Sequence, residues 1–452
     1  MKINSSAQTL PEIPLREALA YWLKLGFISF GGPTAQIAMM HDELVEKKRW
    51  ISERRFLHAL NYCMLLPGPE AQQLATYLGW LMHRTWGGIL AGTLFILPSL
   101  LILIALSWVY VEYGQTPFIA ALFFGIKPVV TAIVITAVIR IAKRSIYNIQ
   151  LAMVAILSFI AIFVLNLPFP LIIASAALYG YFAGKYRPAL FTKSNSGHAT
   201  FSKSAGPALI NDNTPIPLHA TFSKKRLMHQ LWIAGLLWLT PIFLLTVMSS
   251  WNSLYTQLAW FFTKAALLTF GGAYAVLPYL YQSTVETYQW LTAAQMIDGL
   301  ALGETTPGPL IMIVAYVGFL AAYFHEVSTG VSAILMGSLG ALIATWFTFL
   351  PSFLFILIGA PLIESTHSNL RFTAPLTAIT AAVVGVITNL GVFFAYHVFI
   401  PDGIGSAISW LSLGICIATL FLMTRFRWGV IPSLGLGAAI GILFAPTGIL
   451  LR

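Results

Sequence analysis

Long apolar stretches recur along this 452-residue chain and constrain its fold more than any other feature. Thirteen can be drawn, at 15–30, 56–82, 86–110, 117–139, 149–165, 168–184 and 231–248, with six more in the second half. Most approach the roughly 20 residues that cross a bilayer core as a helix. Only 9% of the residues are charged, whereas a soluble domain carries about 25%. The sequence therefore predicts an all-α polytopic membrane protein. It excludes secreted, nucleic-acid-binding and ordinary cytosolic enzyme classes.

The remaining compositional features add no other chemistry. Residues 1–11 are polar and hold one cation, Lys2, so no cleaved signal peptide is expected. Cys63 and Cys416 lie in apolar surroundings without nearby histidine pairs, so we expect buried thiols and neither a metal site nor a disulfide. No H-E-x-x-H or similar catalytic constellation is present. We expect no enzyme, no catalytic residue and no cofactor.

An internal repeat divides the chain. Residues 24–69 realign without a gap with residues 264–309 at a constant offset of 240, with twelve identities in 46 positions. Farther on, Leu97-Pro98-Ser99 pairs with Leu350-Pro351-Ser352 at an offset of 253. Self-similarity at a fixed spacing indicates a tandem duplication. The sequence predicts an N-terminal repeat over 1–184 and a C-terminal repeat over 254–452.

The segment between the repeats suggests how the second is oriented. Residues 185–230 are rich in Ser, Asn, Pro and Lys, which predicts a flexible cytoplasmic linker. Residues 231–253 then hold an apolar segment that has no counterpart before the first repeat. One additional transmembrane helix inverts the second repeat if each repeat crosses the membrane an even number of times.

Cation placement supports two inverted-topology halves. Cytoplasmic loops concentrate Lys and Arg, so inverted repeats should exchange their cations between equivalent loops. The first-half cations Lys47, Lys48, Arg49, Arg54, Arg55, Arg140, Lys143 and Arg144 align with the uncharged Thr287, Tyr288, Gln289, Ala294, Gln295, Phe393, Tyr396 and His397. In the opposite sense, Arg371 aligns with Phe118.

Two models of how the chain traverses the membrane remain open. If all thirteen segments cross, the cation-rich loop 41–55 falls outside the cell. If the chain turns back at Gly31-Gly32-Pro33 and at Pro67-Gly68-Pro69, and likewise in the second half, that loop stays cytoplasmic. We favour these re-entrant hairpins, which leave only Arg452 outside.

Helix-breaking motifs at matching positions predict a binding site. Glycine lets a backbone open and proline removes a hydrogen-bond donor, and unpaired backbone survives in a membrane only where protein or water lines a cavity. Helices that restart with proline near the first position present free N–H groups, which attract anions. The alternative is that these residues are ordinary kinks and packing points. The substrate-binding candidates from these motifs are Gly31, Gly32, Pro33, Pro67, Gly68, Pro69, Gly271, Gly272, Pro307, Gly308 and Pro309.

Embedded lysines supply candidate charges for an anion. Lys24 and Lys264 each lie six residues before a double glycine, in apolar surroundings. A lysine in the bilayer core costs about 3 kcal/mol unless it faces water or a counter-ion. We predict that the two face the substrate, and the alternative is that they extend to the membrane interface. Lys127 is a weaker third candidate because its repeat partner is Thr380.

Acids and amides flank the same motifs. Glu70 follows Pro69 directly and Glu304 precedes Pro307. An embedded carboxylate can carry a coupling proton or pair with a nearby cation, so both are proton-coupling candidates, with pairing alone as the alternative. Further candidates for binding oxyanion oxygens are Gln72, Gln73, Thr305 and Thr306, with helix packing as the alternative.

Three segments resemble the chromate ion transporter (CHR) family of the long, two-domain type. They are Lys24-Leu25-Gly26-Phe27-Ile28-Ser29-Phe30-Gly31-Gly32-Pro33, Leu66-Pro67-Gly68-Pro69-Glu70 and Glu304-Thr305-Thr306-Pro307-Gly308-Pro309. The resemblance implies a multi-pass protein of the bacterial inner membrane that exports chromate, with oppositely oriented halves and a relation to sulfate handling. One departure is Ala273, which stands where the first half has Pro33.

The sequence thus predicts secondary active export of chromate or a related tetrahedral oxyanion by alternating access, with the site between the halves. No G-x-x-x-x-G-K-[ST] motif is present, so direct ATP drive is not expected. A passive anion channel and a sulfate importer that use the same helix breaks remain alternatives. The expected partners are the oxyanion and the lipid bilayer, with a homodimer as one oligomeric form, and no nucleic acid or metal.

Overall fold

The computed structural model describes residues 13–191, 208–211, 223–325, 332–365, 373–401, 403 and 407–444. Its α-helices are α1 (Leu15–Ile28), α2 (Gly32–His41), α3 (Glu53–Cys63), α4 (Glu70–Tyr113), α5 (Pro117–Ser145), α6 (Ile149–Phe163), α7 (Phe169–Tyr186), α8 (Lys224–Ser249), α9 (Leu254–Leu268), α10 (Ala273–Tyr281), α11 (Ala293–Thr305), α12 (Ile313–His325), α13 (Ala333–Ser365), α14 (Thr373–Phe399), α15 (Trp410–Arg425) and α16 (Val430–Phe444). Across these ranges the structure has no β-strand beyond one isolated bridge. The prediction of an all-α protein is confirmed.

Several helices are long enough to cross a membrane. Within the described parts of the chain, five helices combine sufficient length with an apolar composition, and they are α4, α5, α8, α13 and α14. Shorter apolar helices of 10–17 residues lie between and after them. A multi-pass helical membrane protein is therefore confirmed. The opposite orientation of the two halves stays a prediction.

The helices occur in the same order in both halves. Each half opens with a helix, a break and a short helix that ends in a π-helical turn, Asp42–Lys47 in the first half and Gln282–Thr287 in the second. Another short helix and a second break follow in each half. The long α4 is interrupted at His83 and Arg84, and its counterpart in the second half is the separate pair α12 and α13.

In each half, the last two helices pack against a long helix of the other half. First-half α6 and α7 pack on second-half α14, whereas second-half α15 and α16 pack on first-half α5. Small residues permit this close contact: a Cβ on Gly125 of α5 would collide with the backbone of Gly437 on α16. On the other side, a Cβ on Gly180 of α7 would collide with the backbone of Ala374 on α14. Each half therefore completes the packing of the other.

The segment between the halves is partly anchored. Among its described residues, Leu209 and Ile210 donate backbone hydrogen bonds to the carbonyls of Arg49 and Trp50, both at 2.9 Å, and Ser52 donates back to Ile210 at 3.0 Å. Two parts of the predicted linker, 192–207 and 212–222, lie outside the described residues, as do Lys2, Arg371 and Arg452. Helix α8 begins at Lys224, earlier than the predicted 231, and packs on α9 and α13 with most of its surface exposed.

Candidate functional site

The two kinds of helix break meet across the halves. The Gly68 amide, in the first-half Pro67-Gly68-Pro69, donates to the carbonyl of Thr269 at 2.7 Å, just before the second-half double glycine. Reciprocally, the Gly308 amide donates to the carbonyl of Ser29 at 2.8 Å. Gly68 has φ 121° and Gly308 has φ 106°, values that favour glycine. We call these two contacts the crossings. Prolines 67, 69, 307 and 309 flank the two glycines in sequence, so each Pro-Gly-Pro motif contacts the other half through its glycine.

Glutamine side chains reinforce both crossings. Gln36 Nε2 donates to the carbonyl of Gly308 at 2.6 Å and to that of Ser29 at 3.3 Å. At the other crossing, Gln73 Nε2 donates to the carbonyl of Pro67 at 2.7 Å. Gln72 is also fully buried, but its Nε2 donates to Thr76 Oγ1 at 3.0 Å within α4. The predicted Gln73 therefore holds a helix break, and Gln36 is a residue that the sequence analysis missed.

A cavity of about 380 Å³ lies where the two double glycines approach each other. It is lined by the start of α2 at Gly31, Gly32, Pro33 and Thr34, by the start of α10 at Gly271, Gly272, Ala273 and Tyr274, and by residues of α5 and α14. Both helices begin directly after a glycine with positive φ, 89° at Gly31 and 96° at Gly272. Two helix N-termini, which carry partial positive charge, thus border one cavity.

Charged side chains in this cavity come from two helices. Arg140 and Arg144 of α5 line it, as does Glu70 in the first turn of α4. The arginines are four residues apart and therefore share one face of α5. Among the described residues the lining includes no other charged side chain, so positive charge exceeds negative charge there. The sequence pattern singles out Glu70 but marks both arginines only as loop cations.

The predicted lysines lie elsewhere. Lys24 is exposed on α1, on the same face as Leu23 and Phe27, which are 40% and 52% exposed. Lys264 is half-buried on α9, with its Nζ 5.9 Å from the centroid of the Trp260 ring. Neither lysine lines the cavity. The structure therefore does not bring these two candidates to the double glycines.

The remaining candidates surround the second-half break. Glu304 is 7% exposed and accepts a hydrogen bond at 2.8 Å from the hydroxyl of Tyr274, which lines the cavity. Thr305 and Thr306 both donate to the carbonyl of Leu302, at 2.9 and 2.7 Å. Glu304 thus lies one side chain away from the cavity, while the threonine hydroxyls are used in ending α11.

A second cavity of about 400 Å³ shares no lining residue with the first. It lies between α6, α10 and α14, and among the described lining residues the one that carries a charge is Glu286, in the π-helical turn after α10. Phe393 and Tyr396 line it, at the positions that match Arg140 and Lys143 of the first half. The described linings therefore differ in charge: the first has two arginines and one glutamate, and the second has a single glutamate.

Outside the membrane-length helices, two lysines at the end of the π-helical turn after α2 pair with acids. Lys47 Nζ lies 2.6 Å from Asp42 Oδ2, and this hydrogen bond and the charge of Asp42 raise the pKa of Lys47. Lys48 Nζ lies 2.5 Å from Glu17 Oε1. Among the described residues, no group of three or more His, Cys, Asp and Glu side chains is arranged to hold a metal ion.

Comparison with known proteins gives consistent matches. The family model described as chromate transporter matches the chain twice, over residues 16–181 and 256–442. The chromate transport protein of Cupriavidus metallidurans is 30% identical over 446 residues, which cover 98% of this chain and 96% of that protein. The chromate transport protein of Pseudomonas aeruginosa is 32% identical over 384 residues, covering 83% of this chain and 80% of that protein. No solved structure matches the chain significantly.

Proposed function

This chain belongs to the chromate transporter family and is a transporter rather than an enzyme, and from that premise we propose that it carries chromate or a related tetrahedral oxyanion through the arginine-lined cavity. The observation that carries the proposal is the convergence of Arg140 and Arg144 with the N-termini of α2 and α10. Guanidinium groups bind oxyanions through paired N–H donors in a planar fork. Two of them match the charge of a dianion.

The helix breaks contribute the backbone part of the site. The first turns of α2 and α10 supply N–H groups and the positive ends of helix dipoles, which favour anions. Ala273 keeps the N–H that Pro33 lacks, so the two helix starts are not equivalent as donors. A cavity of about 380 Å³ holds an oxyanion together with several waters, each of which occupies about 30 Å³.

Glu70 gives the empty site a counter-charge. It lines the same cavity as both arginines, so an incoming dianion competes with it for the guanidinium groups. Between transport events, Glu70 compensates part of the charge of the arginines. This is favourable because an unpaired charge in a membrane is costly. Glu304 accepts a hydrogen bond from Tyr274, which lines the cavity, so substrate binding can be transmitted to Glu304 through that hydroxyl.

We propose secondary active export by alternating access, from the inner membrane of a bacterial cell. Two cavities with separate linings support this mechanism, since an alternating carrier needs a route to each side. The crossings lie between helices of both halves and provide a shared pivot. Substrate entry at the two arginines and release toward the side of Glu286 suits an anion, which the acid repels.

The test uses purified protein in liposomes with labelled chromate or sulfate. We expect R140Q and R144Q each to raise the KM at least 10-fold and the double variant to abolish uptake. Lys143 is the matched control, because it lies on the same helix with the same charge but does not line the cavity. K143Q should transport like the wild type. A double arginine variant with wild-type KM, melting normally, would refute the site.

The alternatives differ in energetics and direction. A passive channel equilibrates the oxyanion and never concentrates it, whereas a secondary transporter accumulates it against its gradient when the coupling gradient is imposed. A sulfate importer would concentrate sulfate from the outer side. Uptake into liposomes and into inside-out vesicles, measured above the equilibrium level, separates these outcomes.

A further inference from the structure

An ion pair between a half-buried lysine and a buried aspartate joins α5 to α11 outside the arginine-lined cavity. Lys127 Nζ lies 3.1 Å from Asp298 Oδ1, and the Tyr110 hydroxyl donates to Asp298 Oδ2 at 2.9 Å. Asp298 is 5% exposed. Removing the lysine would leave the buried carboxylate without its counter-charge, which is unfavourable. These three residues, Tyr110, Lys127 and Asp298, form the α5–α11 cluster.

The cluster is distinct from the proposed substrate site. None of its three residues lines either cavity. Lys127 precedes Arg140 on α5 by 13 residues, or about 20 Å along a helix. Because both lie on one continuous helix, a change at Lys127 can still be transmitted to the cavity arginines as a rigid-body displacement.

The shared architecture does not require this ion pair. The positions that match Asp298 and Lys127 are His58 of the first half and Thr380 of the second, and they cannot form such an ion pair. The first half nevertheless forms the same short helix, break and long helix around His58. Buried ion pairs are often replaceable by uncharged residues without loss of stability. The acid and its cation are therefore better explained by a task that only one of these two equivalent places performs.

The titratable neighbours of Asp298 are few. Besides Lys127 of α5 and Tyr110 of α4, Tyr316 of α12 approaches, with its ring centroid 5.6 Å from that of Tyr110. Its hydroxyl donates to the carbonyl of Gln295 at 3.0 Å. Of the other elements packed on α11, α16 and the turn 310–312 contain no titratable side chain. The titratable residues of α14 are Tyr396 and His397, and the His397 ring packs on Phe393 and Tyr396. On α11 itself the other acid is Glu304.

We propose that Asp298 carries the coupling proton of the transport cycle, with Lys127 as its internal counter-ion. The inference rests on the proposed function. In this step the carboxylate takes one proton from water on one side, becomes a neutral acid, and returns the proton to water on the other side. Lys127 stays charged throughout. Protonation removes its partner, which weakens the contact between α11 and the helix that bears the substrate arginines.

The experiment compares two modes of transport in liposomes with D298N. Exchange of labelled for unlabelled sulfate at equal pH requires substrate movement only, whereas net uptake driven by an imposed pH gradient requires proton movement as well. We expect D298N to exchange within two-fold of the wild type and to lose at least 10-fold of gradient-driven uptake. D298E, which restores a carboxylate, should recover part of the driven uptake.

The control is E112Q, because Glu112 also accepts a tyrosine hydroxyl, that of Tyr323 at 3.3 Å, but is exposed on α4. It should keep driven uptake. Driven uptake by D298N at the wild-type rate overturns the proposal, and so does loss of exchange together with driven uptake in a normally melting variant. If the wild type exchanges no oxyanion, the proposed function itself fails.

A second variant keeps the test decisive if D298N is not recovered in folded form. K127M retains the carboxylate and removes its cation, so the acid should hold its proton to higher pH. The pH of half-maximal driven uptake should then rise by about one unit or more. An unchanged pH profile in K127M would refute the role of the cluster.

Discussion

Gly308 lies directly against Ser99, so that a Cβ added to Gly308 would come within 2.7 Å of the Ser99 Cβ. The contact joins the second-half break to the first-half helix α4. Its mirror image places Gly68 against Ser352 of α13, and Ser99 and Ser352 are themselves repeat partners. At each crossing, the glycine therefore donates a backbone hydrogen bond to one segment of the other half and packs against a serine of another.

Replacing Gly308 by alanine should damage both folding and transport. Its φ of 106° strains an alanine by about 1–3 kcal/mol, and the contact with Ser99 adds to this. We expect a lower melting temperature and at least a 10-fold loss of oxyanion uptake. In the G308A/S99G double variant, relief of the collision should recover part of the stability. G414A is the control, since no atom lies near that added Cβ. Wild-type melting of G308A would contradict the argument.

Lys24 and Lys264 should prove dispensable for oxyanion transport. Lys24 is exposed and Lys264 lies beside Trp260, and neither lines the arginine-lined cavity. We therefore expect K24M and K264M to retain more than half of wild-type uptake, measured beside R140Q in the same liposomes. If K24M lost as much uptake as R140Q, the lysines would have to be reinstated as residues that bind the charge of the oxyanion.

Opposite orientation of the halves can be tested at one pair of equivalent residues. Arg54 and Ala294 are both exposed in the first turns of α3 and α11, and both native cysteines are buried. With an impermeant maleimide, R54C should react only from the cytoplasmic side and A294C only from the outside. Labelling of both from one side would exclude inverted halves. Labelling of R54C from outside would exclude re-entrant hairpins.

The anchored part of the linker should stabilise the first half. Ile210→Pro removes the N–H that donates to Trp50, and a net backbone hydrogen bond contributes about 1 kcal/mol. We expect a small fall in the melting temperature with uptake unchanged within two-fold, whereas I210V, which keeps the N–H, should behave like the wild type. Identical melting of all three proteins would show that this contact carries no stability.

The helix breaks could be predicted because glycine and proline act locally. The double glycine at 31–32 and the Pro-Gly-Pro motif at 67–69 alter the backbone wherever they occur in a helix. The local effect of glycine and proline does not predict which helix break of the other half each motif contacts. The hydrogen bond from Gly68 to Thr269 joins residues about 200 positions apart, and the identity of a motif does not tell which motif it meets.

The charges of the cavity were harder to predict. Arg140 and Arg144 lie near the end of an apolar helix, where cations usually mark the cytoplasmic boundary. Whether they face a cavity depends on the rotation of α5, which is set by its packing on α15 and α16 from the other half. Lys24 shows the opposite case: its neighbours Leu23 and Phe27 are exposed, whereas Trp22 and Leu25 are buried. The helical period places Lys24 on the outer face.

The exchange of helices between the halves also sets an order of events during biosynthesis. Helices α6 and α7 are complete long before α14, on which they pack, has left the ribosome. At about 5–20 residues per second, the roughly 190 intervening residues take on the order of 10–40 s to translate. During that interval lipid, or the insertion machinery, must occupy the faces that α14 later covers. A ribosome that stalls in the second half therefore leaves an inserted but unfinished first half, and membrane proteases are the expected fate of that product.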